Sequence, residues 1–150
     1  MIIREYKSAD CQAVSALFYE TVHSVNAKDY TTQQLFAWAK QPDSLAARRE
    51  DLAAQRTLIA EIAHKTVGFG SIDGSGYLDL LFVHKDYQRQ GIATALCDEL
   101  EKGFPAIRTH ASITAKPFFE KRGYKIVKAQ EVERAGIRLR NFEMIKNGNG

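Results

Sequence analysis

The spacing of hydrophobic residues changes near residue 57, and this change limits the folds open to the chain. Before that point, apolar residues recur at the three-to-four-residue period of amphipathic helices. After it come short strand-like runs over residues 57–62, 67–72 and Tyr77–Val83, separated by His64-Lys65 and by Asp73-Gly74-Ser75-Gly76. Because the connections are short and have turn composition, the runs are predicted to form an antiparallel meander.

The residues before this change predict one strand and three helices. Ile2–Glu5 has the pattern of a strand, and Ser8 is the expected N-cap of the first helix. Thr31 and Gln34 have the spacing of a capping box, so a second helix is expected to start there. A third, shorter helix is expected over residues 43–56. The first helix has an apolar stripe that consists of Val14, Leu17, Phe18, Val22 and Val25.

A glycine, Gly91, follows the third strand-like run and opens another predicted helix, which Pro105 is expected to end. Residues 107–111 predict a further strand, and residues 115–122 predict a short helix. Gly123 stands where a left-handed residue closes such a helix.

The end of the chain predicts a β-hairpin. Its strands cover residues 124–133 and 137–145, and Ala135-Gly136 forms its turn. In the second strand the apolar alternation slips by one position, which predicts a β-bulge near Arg140-Asn141. Residues 147–150 are expected to form a frayed tail.

Composition favours one globular domain. With 150 residues, 45% of them hydrophobic, residues 1–150 are expected to bury a core as a single unit. Cys11 and Cys97 lack the spacing of a zinc site, so no metal is expected. The N-terminus lacks a signal-peptide pattern, and no apolar stretch is long enough to span a bilayer. These features predict a cytoplasmic protein without a membrane partner.

The net charge of +3 is unevenly distributed. Residues 1–75 carry 8 basic and 9 acidic side chains, whereas residues 76–150 carry 13 and 9. A basic half attracts polyanions such as a phosphorylated cofactor or nucleic acid, although a solvated face has the same composition. Four glutamates among these cations argue against nucleic acid: Glu120, Glu131, Glu133 and Glu143.

One segment has the features of a phosphate-binding site: the strand Tyr77–Val83, the loop over residues 84–90 and the helix that starts at Gly91. A glycine at a strand-to-helix junction lets main-chain amides approach a ligand, and the first-turn amides and dipole of a helix favour an anion such as pyrophosphate. The known nucleotide-binding loops need Gly-Lys-Ser/Thr or three glycines. Since Gln88-Arg89-Gln90-Gly91-Ile92-Ala93 has one glycine, an ordinary helix start is the alternative.

The run Val83-His84-Lys85-Asp86-Tyr87-Gln88-Arg89-Gln90-Gly91-Ile92-Ala93 resembles the acetyl-CoA-binding signature of the GCN5-related N-acetyltransferase (GNAT) family, Gln/Arg-x-x-Gly-x-Gly/Ala. The run Ser112-Ile113-Thr114-Ala115-Lys116-Pro117-Phe118-Phe119-Glu120-Lys121-Arg122-Gly123-Tyr124 is similar to the family's Asn-x-x-Ala stretch, which leads through an aromatic pair to Gly-Phe. The resemblance implies an α+β fold with a mixed, mostly antiparallel sheet of about six to seven strands flanked by helices. It also implies an N-acetyltransferase that moves an acetyl group from acetyl-CoA to a primary amine by direct attack in a ternary complex. The acceptor and a homodimer are left open.

By position, the resemblance assigns the strand edge at Leu81, Phe82 and Val83 to the pantetheine arm. It assigns Ser112 to the same arm, where the family usually has asparagine; a hydroxyl can donate or accept a hydrogen bond there. The pyrophosphate is assigned to Arg89, Gln90, Gly91, Ile92, Ala93 and Thr94. Three cations either pair with the 3′-phosphate or form a solvated helix face: Lys116, Lys121 and Arg122.

The second run departs from the family at Phe119, where many members have a tyrosine that protonates the departing thiolate. A phenyl ring has no proton to give. Three accounts stay open. A thiolate needs little help because the thiol pKa is about 8.5; another hydroxyl such as Tyr30 or Ser112 serves; or the protein is a non-catalytic acyl-CoA-binding or sensory domain. Tyr124 is expected in the core.

The acceptor amine must lose a proton, and a base with a pKa near the working pH suits this role. His110 is the first candidate, because it shares strand parity with Ser112 and both are expected on one face; a structural histidine is the alternative. Asp79, a carboxylate in an apolar strand, must find a partner or water and is the second candidate. Tyr30, just before a helix cap, is expected to face a cleft over the acceptor. The family's usual carboxylate positions hold apolar residues here, so deprotonation through water is a further alternative.

Overall fold

The computed structural model describes residues 1–147, which form a seven-stranded sheet with helices on both faces. The strands are β1 (Ile2–Glu5), β2 (Arg56–Ile62), β3 (Lys65–Ile72), β4 (Tyr77–Val83), β5 (Ala106–Ser112), β6 (Lys125–Arg134) and β7 (Ile137–Asn147). The α-helices are α1 (Cys11–Ser24), α2 (Thr32–Trp38), α3 (Arg49–Ala54), α4 (Ile92–Leu100) and α5 (Lys116–Lys121). None of these helices is both long and apolar enough to cross a membrane.

The strand order is β1-β2-β3-β4-β5-β7-β6. Of the described strand pairs, β4 with β5 is parallel and each of the others is antiparallel. The mixed, mostly antiparallel α+β fold is therefore confirmed.

Two helical layers bury the two faces of the sheet. Strand β2 shows this directly, because Leu58 and Ala60 pack in the cluster of α4 and α5, while Ile59 packs in the cluster of α1 and α2. Helix α4 lies close to β3, where a Cβ atom on Gly70 would be 2.8 Å from Cδ1 of Leu100. The glycine thus lets α4 approach the sheet closely.

Local sequence chemistry explains several elements that were predicted correctly. The meander of β2, β3 and β4 is antiparallel. In the predicted capping box, Gln34 N donates to Thr31 Oγ1 (3.1 Å), and Thr31 N donates to Gln34 Oε1 (2.9 Å). Gly123 closes α5 with a φ of +99°, and the β6–β7 turn has positive φ at both Ala135 and Gly136.

Two predicted helices differ from the structure at their starts. The α-helical part of the first begins at Cys11, because Ser8–Asp10 forms a 3₁₀ turn instead. The segment predicted as one helix over residues 43–56 divides into a 3₁₀ segment, Ser44–Arg48, and the short helix α3. Neither helix start has a side-chain cap hydrogen bond of the kind that fixes α2.

The sequence predicted that Pro105 ends the fourth helix, but α4 already ends at Leu100. Gly103 has a φ of +85°, a left-handed conformation that turns the chain away before the proline. Beside this end, Glu101 accepts hydrogen bonds from Arg122 Nε (2.7 Å), Tyr124 Oη (2.7 Å) and Lys146 Nζ (2.8 Å). Burial raises the pKa of Glu101, but these hydrogen bonds outweigh that effect and hold the pKa below its usual value. One carboxylate thus joins α4 to three later parts of the chain.

We expect Glu101→Gln to lower the free energy of unfolding by about 2 kcal/mol at pH 7, because hydrogen bonds to a charged group contribute about 1.5–3 kcal/mol. The folded-state pKa of Glu101 lies below the unfolded value, so this stabilisation is present above the unfolded pKa and is lost as the pH falls through the folded pKa. Urea denaturation at pH 7 and pH 3 should therefore show a smaller difference from wild type at the lower pH.

Glu99→Gln is the matched control for this prediction. Glu99 lies on the same helix and pairs with Lys102 at the surface (2.8 Å), an exposed pair for which we expect a loss of no more than about 0.5 kcal/mol. Equal losses in the two variants would contradict the role given to Glu101.

The bulge predicted near Arg140-Asn141 is wrong. Glu131 pairs with Arg140 and Gln130 with Asn141 without a shift, and the irregularity lies at Val127 of β6. The apolar pattern of β7 changes parity because the strand serves both layers: Leu139 packs with α1 and α2, whereas Met144 packs with α4 and α5. Of the predicted tail, Asn147 is the last residue of β7, and residues 148–150 lie outside the described residues.

A wedge opens between β4 and β5. The two strands pair at Tyr77 with Arg108 and at Leu78 with Thr109, and no further pairs are recorded between them in the described chain. On the other side of β4, Ile72 pairs with Leu78 and Ser71 with Leu80, so that Asp79 is an extra residue. This β-bulge bends β4 where it separates from β5.

Candidate active site

The wedge opens into a cavity of about 650 Å³, a volume in the range of small-molecule sites. Its walls include Phe18 of α1, Trp38 of α2, Thr94 of α4 and Leu139 of β7. The predicted catalytic, pantetheine and pyrophosphate residues all line this cavity except Gln90, which is exposed on the loop. The structure therefore brings together residues that are up to 82 positions apart, from Tyr30 to Ser112.

At one end of the cavity, the first turn of α4 presents main-chain amides. Gly91 is the N-cap with a φ of +80° and no side-chain cap, and the first helical hydrogen bond runs from Ala95 N to Gly91 O (3.0 Å). The amides of Ile92, Ala93 and Thr94 thus have no acceptor within the helix. Arg89 also has a positive φ, +61°. This end has the chemistry of an anion site.

Main-chain groups of β4 form one side of the wedge. His84 N donates to Val67 O (2.8 Å), and because hydrogen-bonded pairs alternate between antiparallel strands, Phe82 faces β3 in the same way. The amides of Leu81 and Val83 therefore point into the wedge. The carbonyl of Val83 accepts a hydrogen bond there from Gln88 Nε2 (2.6 Å). The Phe82 ring packs against Phe18 with centroids 5.1 Å apart.

Ser112, at the end of β5, closes the turn that leads to α5. Its Oγ accepts a hydrogen bond from Ala115 N (3.0 Å) and lies 3.5 Å from Nδ2 of Asn26. Asn26 is buried and lines the cavity. Both contacts place Ser112 as an acceptor, so its own hydroxyl hydrogen is available to a ligand.

The cations assigned to the 3′-phosphate are largely engaged within the protein. Arg122 pairs with Asp98 (2.7 Å) and Glu101 (2.7 Å) and is 13% exposed, which contradicts a solvated face and leaves the guanidinium engaged away from a phosphate. Lys116 pairs with Glu120 (3.1 Å). Lys121 is exposed, and its phosphate role stays a prediction.

Tyr30 lines the cavity, but it is buried and its hydroxyl is engaged by main-chain groups. It is 8% exposed, and its hydroxyl donates to Arg140 O (2.7 Å) and accepts from Ile113 N (2.9 Å). Burial raises the pKa of Tyr30 above its usual value. These bonds fix the segment before α2 to β7 and to the end of β5, which favours a structural role.

Asp79 finds its partner in a guanidinium. Arg48 Nη2 and Gln55 Nε2 (3.2 Å) both donate to Asp79 Oδ2, and the side chain is 12% exposed. Of the two expected outcomes, a partner or water, the structure shows a partner. The ion pair holds Arg48 at the wall of the cavity.

His110 lies at the mouth of the cavity beside Tyr77. The Tyr77 hydroxyl is 3.2 Å from His110 Nδ1, and Arg108 lies over the Tyr77 ring with its Cζ 5.5 Å from the centroid. A tautomer that carries hydrogen on Nδ1 donates it to Tyr77 and leaves Nε2 free to accept a proton. Among the described residues, no group of three or more His, Cys, Asp or Glu side chains is placed to hold a metal ion.

Residues 26–146 match the family model described as an acetyltransferase (GNAT) domain. The chain belongs to the GNAT acetyltransferase family. It is 40% identical over 142 residues to the uncharacterized N-acetyltransferase YafP of Escherichia coli K12. The alignment covers 95% of this chain and 93% of YafP. The family expected from the two sequence runs is thus confirmed, and with it an acetyltransferase.

Solved structures agree with this assignment. One of them is a GCN5-related N-acetyltransferase from Rhodopseudomonas palustris, also described as an aminotransferase, class II. It is 35% identical to this chain and has a TM-score of 0.92, over 97% of this chain and 94% of the R. palustris chain. The PaiA N-acetyltransferase of Thermoplasma acidophilum, solved in complex with coenzyme A, has a TM-score of 0.77 at 18% identity, over 98% of each chain. The second likeness concerns the fold alone.

Within this GNAT fold, Phe119 is 2% exposed and packs edge-on against Tyr124, with ring centroids 4.9 Å apart. Tyr124 is in the core as predicted. Sequence reasoning missed Tyr77, Asn26, Arg48 and Arg134, all of which line the cavity. The sequence did contain a signal for Tyr77. It lies two positions before the candidate Asp79, in the strand that leads to the cofactor loop.

Proposed function

We propose that this GNAT protein transfers an acetyl group from acetyl-CoA to a primary amine by direct attack within a ternary complex. The observation that carries the proposal is the continuous surface from the free amides of α4 to the inward amides of Leu81 and Val83. That surface ends in a cavity large enough for a second substrate.

The residues present fit coenzyme A. The unpaired amides of Ile92, Ala93 and Thr94 suit its pyrophosphate. The space around Gly91 is open, since a Cβ atom there would meet nothing within 4 Å. The amide of Val83 suits a carbonyl group of an extended pantetheine arm, as an added strand would, and this leaves the amide of Leu81 for the thioester. Ser112 and Asn26 supply further polar atoms at the wedge.

Acetyl-CoA, when bound, supplies an acetyl thioester whose carbon–sulfur bond breaks as the amine nitrogen bonds to the acetyl carbon. An inward amide of β4, such as that of Leu81, polarises the carbonyl oxygen. His110 accepts the proton of the amine, and Tyr77 orients its ring. Asp79 positions Arg48 and is not required to move a proton.

The departing thiolate has two sources of a proton. Ser112 keeps its hydroxyl hydrogen, and water reaches the cavity mouth where His110 is exposed. Phe119 has no proton to give. The Tyr30 hydroxyl already donates to one main-chain group and accepts from another. The absence of a donor at Phe119 is the observation that favours the second candidate, a non-catalytic acyl-CoA sensor.

Thiol release from acetyl-CoA separates the two candidates. With a panel of primary amines we expect amine-dependent release at about 1 s⁻¹ or faster, a common rate for enzymes. The same amines in N-acetylated form are the matched controls and should give no release. Calorimetric binding of acetyl-CoA without amine-dependent release would favour the sensor.

The cytoplasmic location and a homodimer stay predictions. Cys11 and Cys97 are both free thiols, as a reducing compartment would leave them.

A further inference from the structure

The charged groups that line the cavity are mostly basic. They are Arg48, Arg89, Arg134, Arg140 and, as the single carboxylate among the described lining residues, Asp79. Arg48 and Asp79 neutralise one another, and Arg89 belongs to the loop before α4. The Arg140 guanidinium lies 5.6 Å from the Phe142 ring, whose cluster is on the opposite face of the sheet. Arg134 is therefore the cation left for a second substrate.

Arg134 is placed to face that substrate. It lies two positions after Val132 at the end of β6, so the two side chains share one face, and both line the cavity. Among the described residues, its guanidinium makes one hydrogen bond, to the Glu133 carbonyl (3.1 Å), and no ion pair. An exposed guanidinium at an apolar wall is a ready partner for a carboxylate.

The electrostatics around Tyr77 agree with this placement. Burial raises the pKa of Tyr77, the carboxylate of Asp79 adds to the rise, and Arg48, Arg108 and Arg134 oppose it. Three guanidinium groups and one carboxylate therefore act on the same end of the cavity, next to His110. The excess is positive.

We infer that the acceptor carries an anionic group, a carboxylate in the simplest case, in addition to its amine and an apolar body, and that Arg134 binds this group. The assignment rests on the acetyl transfer proposed above. The apolar body would lie against Phe18 and Trp38, which line the cavity from α1 and α2, and against Leu139, which pairs with Val132 on the hairpin. A field of this sign also favours the uncharged amine, the form that attacks, and repels acceptors with several positive charges.

Matched pairs of amines test the inference. L-Phenylalanine and L-phenylalaninamide differ by the carboxylate alone, and at pH 8 the amide has the larger share of uncharged amine, because a carboxylate stabilises the neighbouring ammonium. We expect kcat/KM, expressed for each compound per uncharged amine, to be about 10-fold higher for the acid, the size of one charge-assisted contact. Arg134→Gln should remove this preference by lowering kcat/KM for the acid about 10-fold, with a much smaller change for the amide, which has no carboxylate to lose.

Arg138→Gln is the control, since Arg138 has the same charge, lies on the same hairpin, and does not line the cavity. It should behave as wild type. A preference of the wild-type enzyme for the amide, or an equal loss for acid and amide in Arg134→Gln, would overturn the assignment.

If neither compound releases thiol, the proposed acetyl transfer fails for this pair of amines. Calorimetry then tests the Arg134 site separately. Titration of the coenzyme A-saturated protein should show tighter binding of phenylalanine than of its amide, with the difference lost in Arg134→Gln. Equal binding, or no binding of either, would reject the site.

Discussion

Replacement of Gly91 by valine should weaken coenzyme A binding by about 100-fold or more, while the domain stays folded. Gly91 has a φ of +80°, which a β-branched residue does not adopt without a cost of about 1–3 kcal/mol. Relief of this strain would rotate the peptide groups that aim the amides of α4 at the pyrophosphate. The added side chain itself would meet no clash, since no atom lies within 4 Å of a Cβ at this position, so the domain should still fold. Calorimetry with coenzyme A measures the loss.

Gly103→Val supplies an unusually close control. Gly103 lies just beyond the other end of the same helix, with a φ of +85° and no atom within 4 Å of an added Cβ. The two variants should therefore lose similar thermal stability, and only Gly91→Val should lose affinity. Wild-type affinity in Gly91→Val would mean that the α4 amides do not hold the cofactor, and an equal loss in Gly103→Val would show that helix strain alone explains the result.

Features set by a few neighbouring residues were predictable from the sequence. The capping box of α2 depends on Thr31 and Gln34, and the β6–β7 turn depends on Ala135 and Gly136. In both, the residues that form the hydrogen bonds or adopt the positive φ are adjacent in the chain or one helical turn apart. The same holds for the left-handed N-cap at Gly91, although the position of this glycine after a strand left both an anion site and an ordinary helix start open.

Features set by tertiary pairing were not predictable in this way. The bulge at Asp79 is a shift in the pairing of β3 with β4. The sequence of β4 before and after Asp79 would fit a regular strand equally well. The parity change in β7 resembled a bulge because the sequence does not say that two different helical layers cover the strand. A slip in alternation therefore has two structural causes, and burial on both faces was the one that applied.

The candidate site shows the same division. On the cofactor side, the residues predicted on one strand and on the loop and helix that follow it all line the cavity except Gln90, and their contacts with coenzyme A stay a prediction. The acceptor side combines β4, β5, the first helices and the distant hairpin. Tyr77 and His110 are 33 positions apart and meet because β4 and β5 pair in parallel at Tyr77 and Arg108. The hydrogen bonds of the Tyr30 hydroxyl were missed for a related reason, since their partners lie 83 and 110 positions away.

The proton of the acceptor amine gives the second large effect. His110→Ala should lower kcat at pH 7 by about 100-fold to 1000-fold, the usual contribution of a general base, and leave the affinity for acetyl-CoA unchanged. As the pH rises towards the pKa of the amine, more of the acceptor is already uncharged, so the variant should approach wild type near pH 9. His64→Ala is the control, because His64 is exposed in the β2–β3 turn and does not line the cavity.

Tyr77→Phe separates positioning from proton transfer. The variant keeps the ring against His110 and loses the hydroxyl that lies 3.2 Å from Nδ1, so it should reduce kcat by about 10-fold and keep a wild-type pH profile. Rates measured by thiol release between pH 6 and pH 9.5 distinguish the two behaviours. If His110→Ala lowers kcat by the same factor at every pH, His110 is not the base. Deprotonation would then pass through water at the mouth of the wedge, and the Tyr77–His110 contact would serve to hold β4 against β5.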